Sequence, residues 1–134
     1  MNQKLEFAIL YISFFFTMPS QLFAQAPHTQ SGVDERVRSF LARHSDTWRD
    51  LNVPEVDGRT LHDLIVKHKY KRALEIGTST GHSAVWIAWA LSKTGGRLIT
   101  IEMDVRRYRA ALANFKEASL SDYIDARLGD AHEL

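Results

Sequence analysis

The sequence predicts an α/β fold in which a parallel sheet is flanked by helices, and three observations predict it. Short apolar segments of strand length, at 72–76, 97–101 and 124–128, alternate with longer segments of helical periodicity. A glycine-rich turn follows the first of these strands directly. Strands and helices that alternate at this spacing form parallel sheets through right-handed crossover connections.

Two helices are predicted before the first strand. The first is expected to run from a cap at Asp34 to about Leu51, because apolar residues recur at three- and four-residue steps. The segment 52–58 contains proline and glycine and is expected to break it, and a second helix is expected over 59–68. The predicted inward residues are Val37, Phe40, Leu41, His44, Trp48, Leu51, Leu61, Leu64 and Ile65.

Two more helices are predicted between the strands. One is expected over 81–91, followed by a turn at 93–96, and the other from a cap at Asp104 to about Ala118. The predicted buried side of the last helix contains Val105, Tyr108, Leu112 and Phe115.

The composition is that of an ordinary globular domain and excludes several classes of site. The 134 residues include no cysteine, which excludes disulfides, thiolate metal sites and thiol catalysis. The formal net charge of +1 gives no reason to expect a nucleic acid partner. His62 and His68 are six residues apart and do not share one helical face, so no histidine metal site is expected.

The N-terminal segment differs from the rest. An apolar run at 7–18 is shorter than the ~20 residues of a membrane span, and Ala24 and Ala26 are small residues of a cleavage site. We therefore expect a signal peptide at 1–26, a linker at 27–33, and secretion or export to the periplasm without stable membrane insertion after cleavage. The alternatives are an uncleaved anchor, or a start site placed too far upstream, which would leave the protein cytoplasmic.

The turn after the first strand has the features of a ligand site. Gly77 can adopt positive φ and let a ligand lie against the backbone, whereas Gly81 permits close packing of the next helix. Thr78, Ser79 and Ser83 supply hydroxyl and N–H groups beside a helix N-terminus, which suits a carboxylate. The Gly-x-x-x-Gly spacing departs from the Gly-x-Gly-x-x-Gly fingerprint of dinucleotide binding. The alternative is a tight turn with no ligand.

Acidic residues lie at the ends of all three strands. Glu75 can accept a hydrogen bond from an ammonium group, and Glu102, about 25 residues after Gly77, can accept from both hydroxyls of a ribose. Met103 can lie against an adenine face, and Asp130 can reach its amino group. The alternatives are a solvated strand end at Glu102, a packing residue at Met103 and a helix cap at Asp130.

These strand ends together resemble those of class I S-adenosylmethionine-dependent methyltransferases, and more narrowly of the catechol and caffeoyl-CoA O-methyltransferase group. The segments 74–84 (LEIGTSTGHSA) and 98–104 (LITIEMD) fit the group's first and second motifs, and His82 stands where the group usually has tyrosine. The resemblance implies a Rossmann-like fold over 34–134, truncated after the third strand. We expect the N-terminal part of a methyltransferase domain.

The resemblance implies that S-adenosylmethionine is the cofactor. It implies these cofactor-binding residues: Val53, Glu75, Gly77, Thr78, Gly81, Ser83, Glu102, Met103, Asp130 and Ala131. In that group a divalent cation, usually magnesium, orients the acceptor. Its ligands and the other catalytic residues are expected beyond Leu134, with none in this chain.

The function implied is methyl transfer to a hydroxyl of a small, catechol-like acceptor, by a protein that can form a homodimer. Besides a truncated gene product that does not fold, because three strands leave one sheet edge open, two functional alternatives remain open at this point. The first is a non-catalytic S-adenosylmethionine-binding or interaction module. The second is a Rossmann NAD(P)-binding protein, against which the glycine spacing argues.

Overall fold

The computed structural model describes residues 29–133, and the signal peptide predicted for 1–26 lies outside the described residues. The elements, in chain order, are helix α1 Gln30–Arg43, helix α2 Glu55–His68, strand β1 Arg72–Ile76, helix α3 His82–Thr94, strand β2 Arg97–Glu102, helix α4 Val105–Glu117, a short 3₁₀ turn Ser121–Tyr123 and strand β3 Ile124–Leu128. The predicted alternation of strands and helices is confirmed.

The sheet is parallel and has the order β1-β2-β3. Ile76 at the end of β1 pairs with Ile101, and Glu102 at the end of β2 pairs with Leu128. The carboxyl ends of the three strands are therefore level, and the loops that follow them meet at one edge of the sheet.

Helix α3 is the centre of the core. Every residue from Ala84 to Leu91 is buried, because this helix lies between the sheet and the helices α1 and α2. Its flanking partners include Phe40 of α1, Ile65 of α2 and Phe115 of α4. On the other face of β1, Leu74 and Ile76 are 64% and 69% exposed. The core of the described residues thus lies on one side of the sheet.

Helix α1 begins earlier than predicted. The hydroxyl of Thr29 accepts the N–H of Gly32 and caps the helix, so residues 30–33, predicted as linker, are helical. The predicted cap at Asp34 is wrong, because this carboxylate lies inside the helix and accepts hydrogen bonds from Trp89 Nε1 at 2.6 Å and Lys93 Nζ at 2.5 Å. Asp34 thus fastens α1 to α3.

Helix α1 also ends earlier than predicted, at Arg43 and not near Leu51. Helix α2 begins at Glu55, within the segment 52–58 that was predicted to separate the two helices. Gly58 lies inside this helix. Glycine is needed there because a Cβ would lie 2.2 Å from the Trp86 ring. The glycine therefore marks a close helix contact and not a turn. Leu64, predicted inward, is 46% exposed.

The cap of helix α4 is as predicted, whereas its predicted buried side is confirmed at Phe115 and wrong at Val105 and Leu112. Asp104 accepts the N–H groups of Arg106 and Arg107. Ala111 and Phe115 are the buried residues of this helix, whereas Val105 and Leu112 are 43% and 41% exposed. Helix α3, finally, continues to Thr94, past the predicted end at 91.

Candidate cofactor site

A pocket of about 530 Å³ lies where the carboxyl ends of the strands meet. It is lined by Leu51, Ile76, Gly77, Ser79, Ile101, Glu102, Met103, Arg107, Gly129, Asp130, Ala131 and His132. The volume is within the range of pockets for small ligands and cofactors, and strand ends are the usual place for them in open α/β sheets.

Gly77 exposes its backbone to this pocket. It has φ +88°, and its N–H donates to Ile101 O over 2.8 Å. No atom lies within 4 Å of the place that a Cβ would occupy. A ligand can therefore lie directly against the peptide at this position, as the sequence predicts for this glycine.

Glu102 is a buried carboxylate held by two backbone amides. Its Oε2 accepts the N–H of Ser79 at 2.7 Å, and its Oε1 accepts the N–H of Asp104 at 2.9 Å. The residue is only 5% exposed, yet it lines the pocket. Each oxygen uses one hydrogen bond and keeps a further lone pair, so the carboxylate can accept from two adjacent hydroxyls.

Glu75 lies beneath the glycine turn and is held by hydroxyl groups. Its Oε1 accepts from Ser83 Oγ at 2.5 Å and its Oε2 from Thr100 Oγ1 at 2.6 Å. The Thr78 and Thr100 hydroxyl oxygens are 2.5 Å apart. Burial raises the pKa of Glu75, the two hydroxyl bonds oppose that rise, and the charge of Glu102 adds to it.

The loop before α2 contributes Leu51 to the pocket lining, and contacts of Asp50 hold this part of the loop. The Arg107 guanidinium binds both carboxylate oxygens of Asp50, at 2.8 and 3.0 Å, and holds the pKa of Asp50 below its usual range. The Ser79 hydroxyl donates to the Asp50 carbonyl oxygen. Asp50 and Leu51 both have positive φ, 57° and 64°. These contacts hold the exposed Leu51 side chain at the mouth of the pocket.

His82 fastens the same loop from inside the protein. Its ring stacks on Trp48 at a centroid distance of 4.4 Å, and the residue is 2% exposed. Trp86 Nε1 can only donate, so His82 Nε2 accepts that bond at 3.1 Å and Nδ1 carries the proton given to Val53 O at 2.8 Å. Burial lowers the pKa of His82. Both ring nitrogens are occupied, as expected for a packing residue.

The structure brings five of the predicted cofactor residues together. Gly77, Glu102, Met103, Asp130 and Ala131 all line the pocket. Met103 is 73% exposed, so its side chain is open to a ligand.

The other five predicted residues lie behind the pocket lining. Thr78 is 2% exposed and bonds Thr100, and the Ser83 hydroxyl donates to Glu75, so neither hydroxyl is directed at the pocket. Gly81 has φ +98°, and a Cβ there would lie 2.6 Å from the Phe115 ring. Val53 accepts from His82. These residues support the turn.

Sequence reasoning missed Leu51 and Arg107 as parts of the site, and it predicted a ligand carboxylate, not Glu102, as the partner of the Ser79 amide. Leu51 was assigned to a helix face and Arg107 carries no motif. The Ser79 amide is one backbone group among many in the sequence, and only the fold shows that it meets Glu102. Within residues 29–133 no group of His, Asp and Glu could hold a metal ion. No helix in the same range is long and apolar enough to cross a membrane.

Fold and site together define a Rossmann-like domain with a ligand-sized pocket at the strand ends, as in class I methyltransferases. Residues 27–134 match the sequence profile of the O-methyltransferase family, and the chain belongs to this family. It is 30% identical over 122 residues to a catechol O-methyltransferase of Niastella koreensis, covering 87% of this chain and 55% of the relative. A caffeoyl-CoA O-methyltransferase of Eucalyptus globulus is 28% identical over 97 residues, with 72% and 38% coverage.

Solved structures of similar fold include two O-methyltransferases. The Bacillus cereus enzyme in complex with S-adenosylhomocysteine (SAH) has a TM-score of 0.59 and 29% identity, over 82% of this chain and 48% of that one. TomG of Streptomyces achromogenes in complex with S-adenosylmethionine has a TM-score of 0.61 and 33% identity, over 75% and 45%. The chain thus spans about half the length of the proteins it matches.

Proposed function

We propose that the protein is an S-adenosylmethionine-dependent O-methyltransferase and that the pocket at the strand ends holds the methyl donor. The observation that carries this proposal is Glu102, a buried pocket carboxylate whose two oxygens are each fixed by a backbone amide. The open backbone of Gly77 in the same pocket suits a ligand that lies close to the chain.

The described residues fit the two ends of that cofactor. Glu102 accepts hydrogen bonds from the ribose hydroxyls, Met103 packs on the adenine, and Asp130 with Ala131 borders the adenine edge. Gly77 lies at the methionine end. The negative charge of Glu75 beneath the turn favours the ammonium group there.

The protein's contribution to the reaction is binding and alignment. S-adenosylmethionine, when bound, supplies a methyl group on a positively charged sulfur for in-line transfer to an acceptor oxygen. The chain fixes the donor by its ribose and adenine, which reduces the entropy lost on reaching the reactive geometry.

The acceptor we propose is a hydroxyl of a small molecule, with a catechol as the test case, and with a divalent cation assisting in the whole protein. The names of the catechol and caffeoyl-CoA relatives support a small aromatic acceptor. We also propose that the protein forms a homodimer. Light scattering of the protein expressed from its complete reading frame tests this, and a mass of one chain would contradict it.

The test is binding and turnover by the protein expressed from its complete reading frame. We expect SAH to bind by calorimetry, and methyl transfer to catechol to require magnesium. NAD is the comparison ligand, because a dinucleotide site would bind it and release SAH. Absence of SAH binding in the presence of magnesium would overturn the proposal, whereas SAH binding without turnover of any hydroxyl acceptor would favour a non-catalytic binding module.

For the N-terminal segment we propose export with cleavage after Ala26. The apolar run at 7–18 and the small residues Ala24 and Ala26 support it. N-terminal sequencing of the protein from its native host tests it, together with cell fractionation. An intact N-terminus in the cytoplasmic fraction would contradict export.

A further inference from the structure

Thr100 is a buried hydroxyl residue in the middle of β2 that lies within the second motif but is not among the predicted cofactor-binding residues. It is 0% exposed and does not line the pocket. A hydroxyl in such a place must be paired to be tolerated, and both partners of Thr100 belong to other parts of the site. Its Oγ1 lies 2.6 Å from Glu75 Oε2 and 2.5 Å from Thr78 Oγ1.

The direction of these two hydrogen bonds follows from the donors available. An ionised carboxylate only accepts, so Thr100 donates its single proton to Glu75. Its lone pair is then free to accept, and Thr78 is the donor of the second bond. The hydroxyls thus form a one-way chain from Thr78 through Thr100 to Glu75, in which Thr100 is the shared member.

The same chain continues by covalent bonds to Glu102. Thr78 is followed directly by Ser79, whose N–H belongs to the planar peptide that joins the two residues and donates to Glu102 Oε2 at 2.7 Å. Fixing the Thr78 side chain therefore fixes the peptide that orients the pocket carboxylate. Glu75 and Glu102 are joined through Thr100, although they lie on different strands.

We propose that Thr100 is a positioning residue of the cofactor site, which holds Thr78 and thereby the Ser79 amide that orients Glu102. The inference rests on the proposed function, because it concerns the site proposed for S-adenosylmethionine. It assigns Thr78 and Ser79 to the ribose end of the site, whereas the sequence pattern predicts that their hydroxyl and N–H groups bind a ligand carboxylate.

The test compares Thr100→Val with Thr100→Ser in the protein expressed from its complete reading frame. Valine keeps the shape of threonine but removes the hydroxyl, whereas serine keeps the hydroxyl and removes the methyl group. The ligands are SAH and 5′-methylthioadenosine, which has the ribose and adenine but lacks the amino-acid group. Binding is measured by calorimetry, and thermal unfolding without ligand is measured for each variant.

For Thr100→Val we expect both ligands to bind about tenfold more weakly, as for the loss of one good hydrogen bond in a network. Thr100→Ser should stay within about twofold of the parent. A merely structural role for the methyl group would reverse this order, with serine the weaker binder, and would overturn the inference. Equal affinity of both variants and the parent would also overturn it.

The second ligand locates the effect. Weaker binding of SAH with unchanged binding of 5′-methylthioadenosine would place the effect at Glu75 and the methionine end, and would overturn the connection to Glu102. If the parent protein binds neither ligand, the proposed function itself fails and the inference fails with it. If only the inference fails, the parent still binds both ligands, and the contradicting result is seen only in the binding of the Thr100 variants.

Discussion

The backbone N–H of Ser79 donates to Glu102 Oε2 over 2.7 Å and so ties the glycine turn after β1 to the end of β2. The Asp104 amide holds the other carboxylate oxygen at 2.9 Å. The acid is therefore oriented before any ligand arrives, which lowers the entropy cost of binding. This arrangement makes Glu102 the most informative position for mutation.

For Glu102→Gln we expect the Kd for SAH to rise about 10- to 100-fold, as when a hydrogen-bonded charge is lost. The amide NH₂ of glutamine must face one of the two backbone N–H donors, so the side chain rotates away from its native position. Calorimetric titration checks this. Glu35→Gln, on the exposed side of α1, is the matched control and should bind as the parent does. An unchanged Kd at position 102 would remove the ribose role.

Substitutions at the two turn glycines, Gly77 and Gly81, should distinguish effects on stability from effects on ligand binding. Gly81→Ala should lower the free energy of unfolding by roughly 2 to 4 kcal/mol, because φ is +98° and the new Cβ meets the Phe115 ring at 2.6 Å. Gly77→Ala should cost roughly 1 to 2 kcal/mol for its positive φ alone. Urea denaturation measures both.

Ligand binding should show the opposite order. The Cβ of Gly77→Ala enters the pocket, so this variant should bind SAH at least about tenfold more weakly. Gly81→Ala should bind with nearly the parent affinity at temperatures where it is folded. Equal effects of the two substitutions on binding would show that the turn acts as one rigid unit and that Gly77 does not contact the ligand.

The sequence was sufficient to predict the element types and the site's position, but not the helix ends. Periodicity identifies a helix, whereas its ends depend on which hydrogen bonds are available nearby. Asp34 had the residue type of a cap, but Trp89 and Lys93 bind it instead, and Thr29 caps α1. Gly58 had the residue type of a helix breaker, but its contact with Trp86 requires glycine inside α2.

Within the site, the sequence predicted the pocket residues better than their supports. Gly77 and Glu102 stand at strand ends, where position alone indicates a ligand role. Thr78 and Ser83 have the same hydroxyl chemistry whether they face a ligand or, as here, Thr100 and Glu75 inside the protein, and sequence cannot tell these cases apart. Thr100 and Arg107 were missed because their partners are distant in the chain.

His82 should give the fold a pH dependence of known sign. Burial holds its folded-state pKa below the ordinary value of 6.5, so the unfolded chain binds the proton more readily. Its contribution to stability is therefore present above pH 6.5 and is lost as the pH falls through the folded-state pKa. Protonation would also place a donor against Trp86 Nε1, which itself only donates.

For His82→Gln we expect a loss of about 1 to 3 kcal/mol of unfolding free energy at neutral pH, because the Trp86 and Val53 groups lose their partner. The difference from the parent should narrow as the pH is lowered below 6.5. Urea denaturation at several pH values measures it, and His68→Gln, at an exposed position, is the control. A difference that stays constant with pH would contradict a buried neutral imidazole.

Glu75 should give stability a pH dependence opposite in sign to that of His82. Burial, with the charge of Glu102, raises its folded-state pKa above the ordinary 4.5. An acid whose pKa is raised on folding stabilises the folded state below pH 4.5. This stabilisation is lost as the pH rises through the folded-state pKa. Near neutral pH the buried carboxylate is thus a cost that glutamine removes, while SAH affinity should fall about tenfold.

The measurement is the unfolding free energy of Glu75→Gln relative to the parent between acid and neutral pH. We expect the difference to shift in favour of the variant as the pH rises above 4.5. Glu117→Gln provides a control of opposite sign, because hydrogen bonds from Arg43 and His44 lower the pKa of Glu117. That variant should lose stability relative to the parent as the pH rises from the lowered folded-state pKa of Glu117 to 4.5, and the difference should stay level above pH 4.5. Parallel curves for the two variants would mean that the Glu75 charge is not held at a cost to stability.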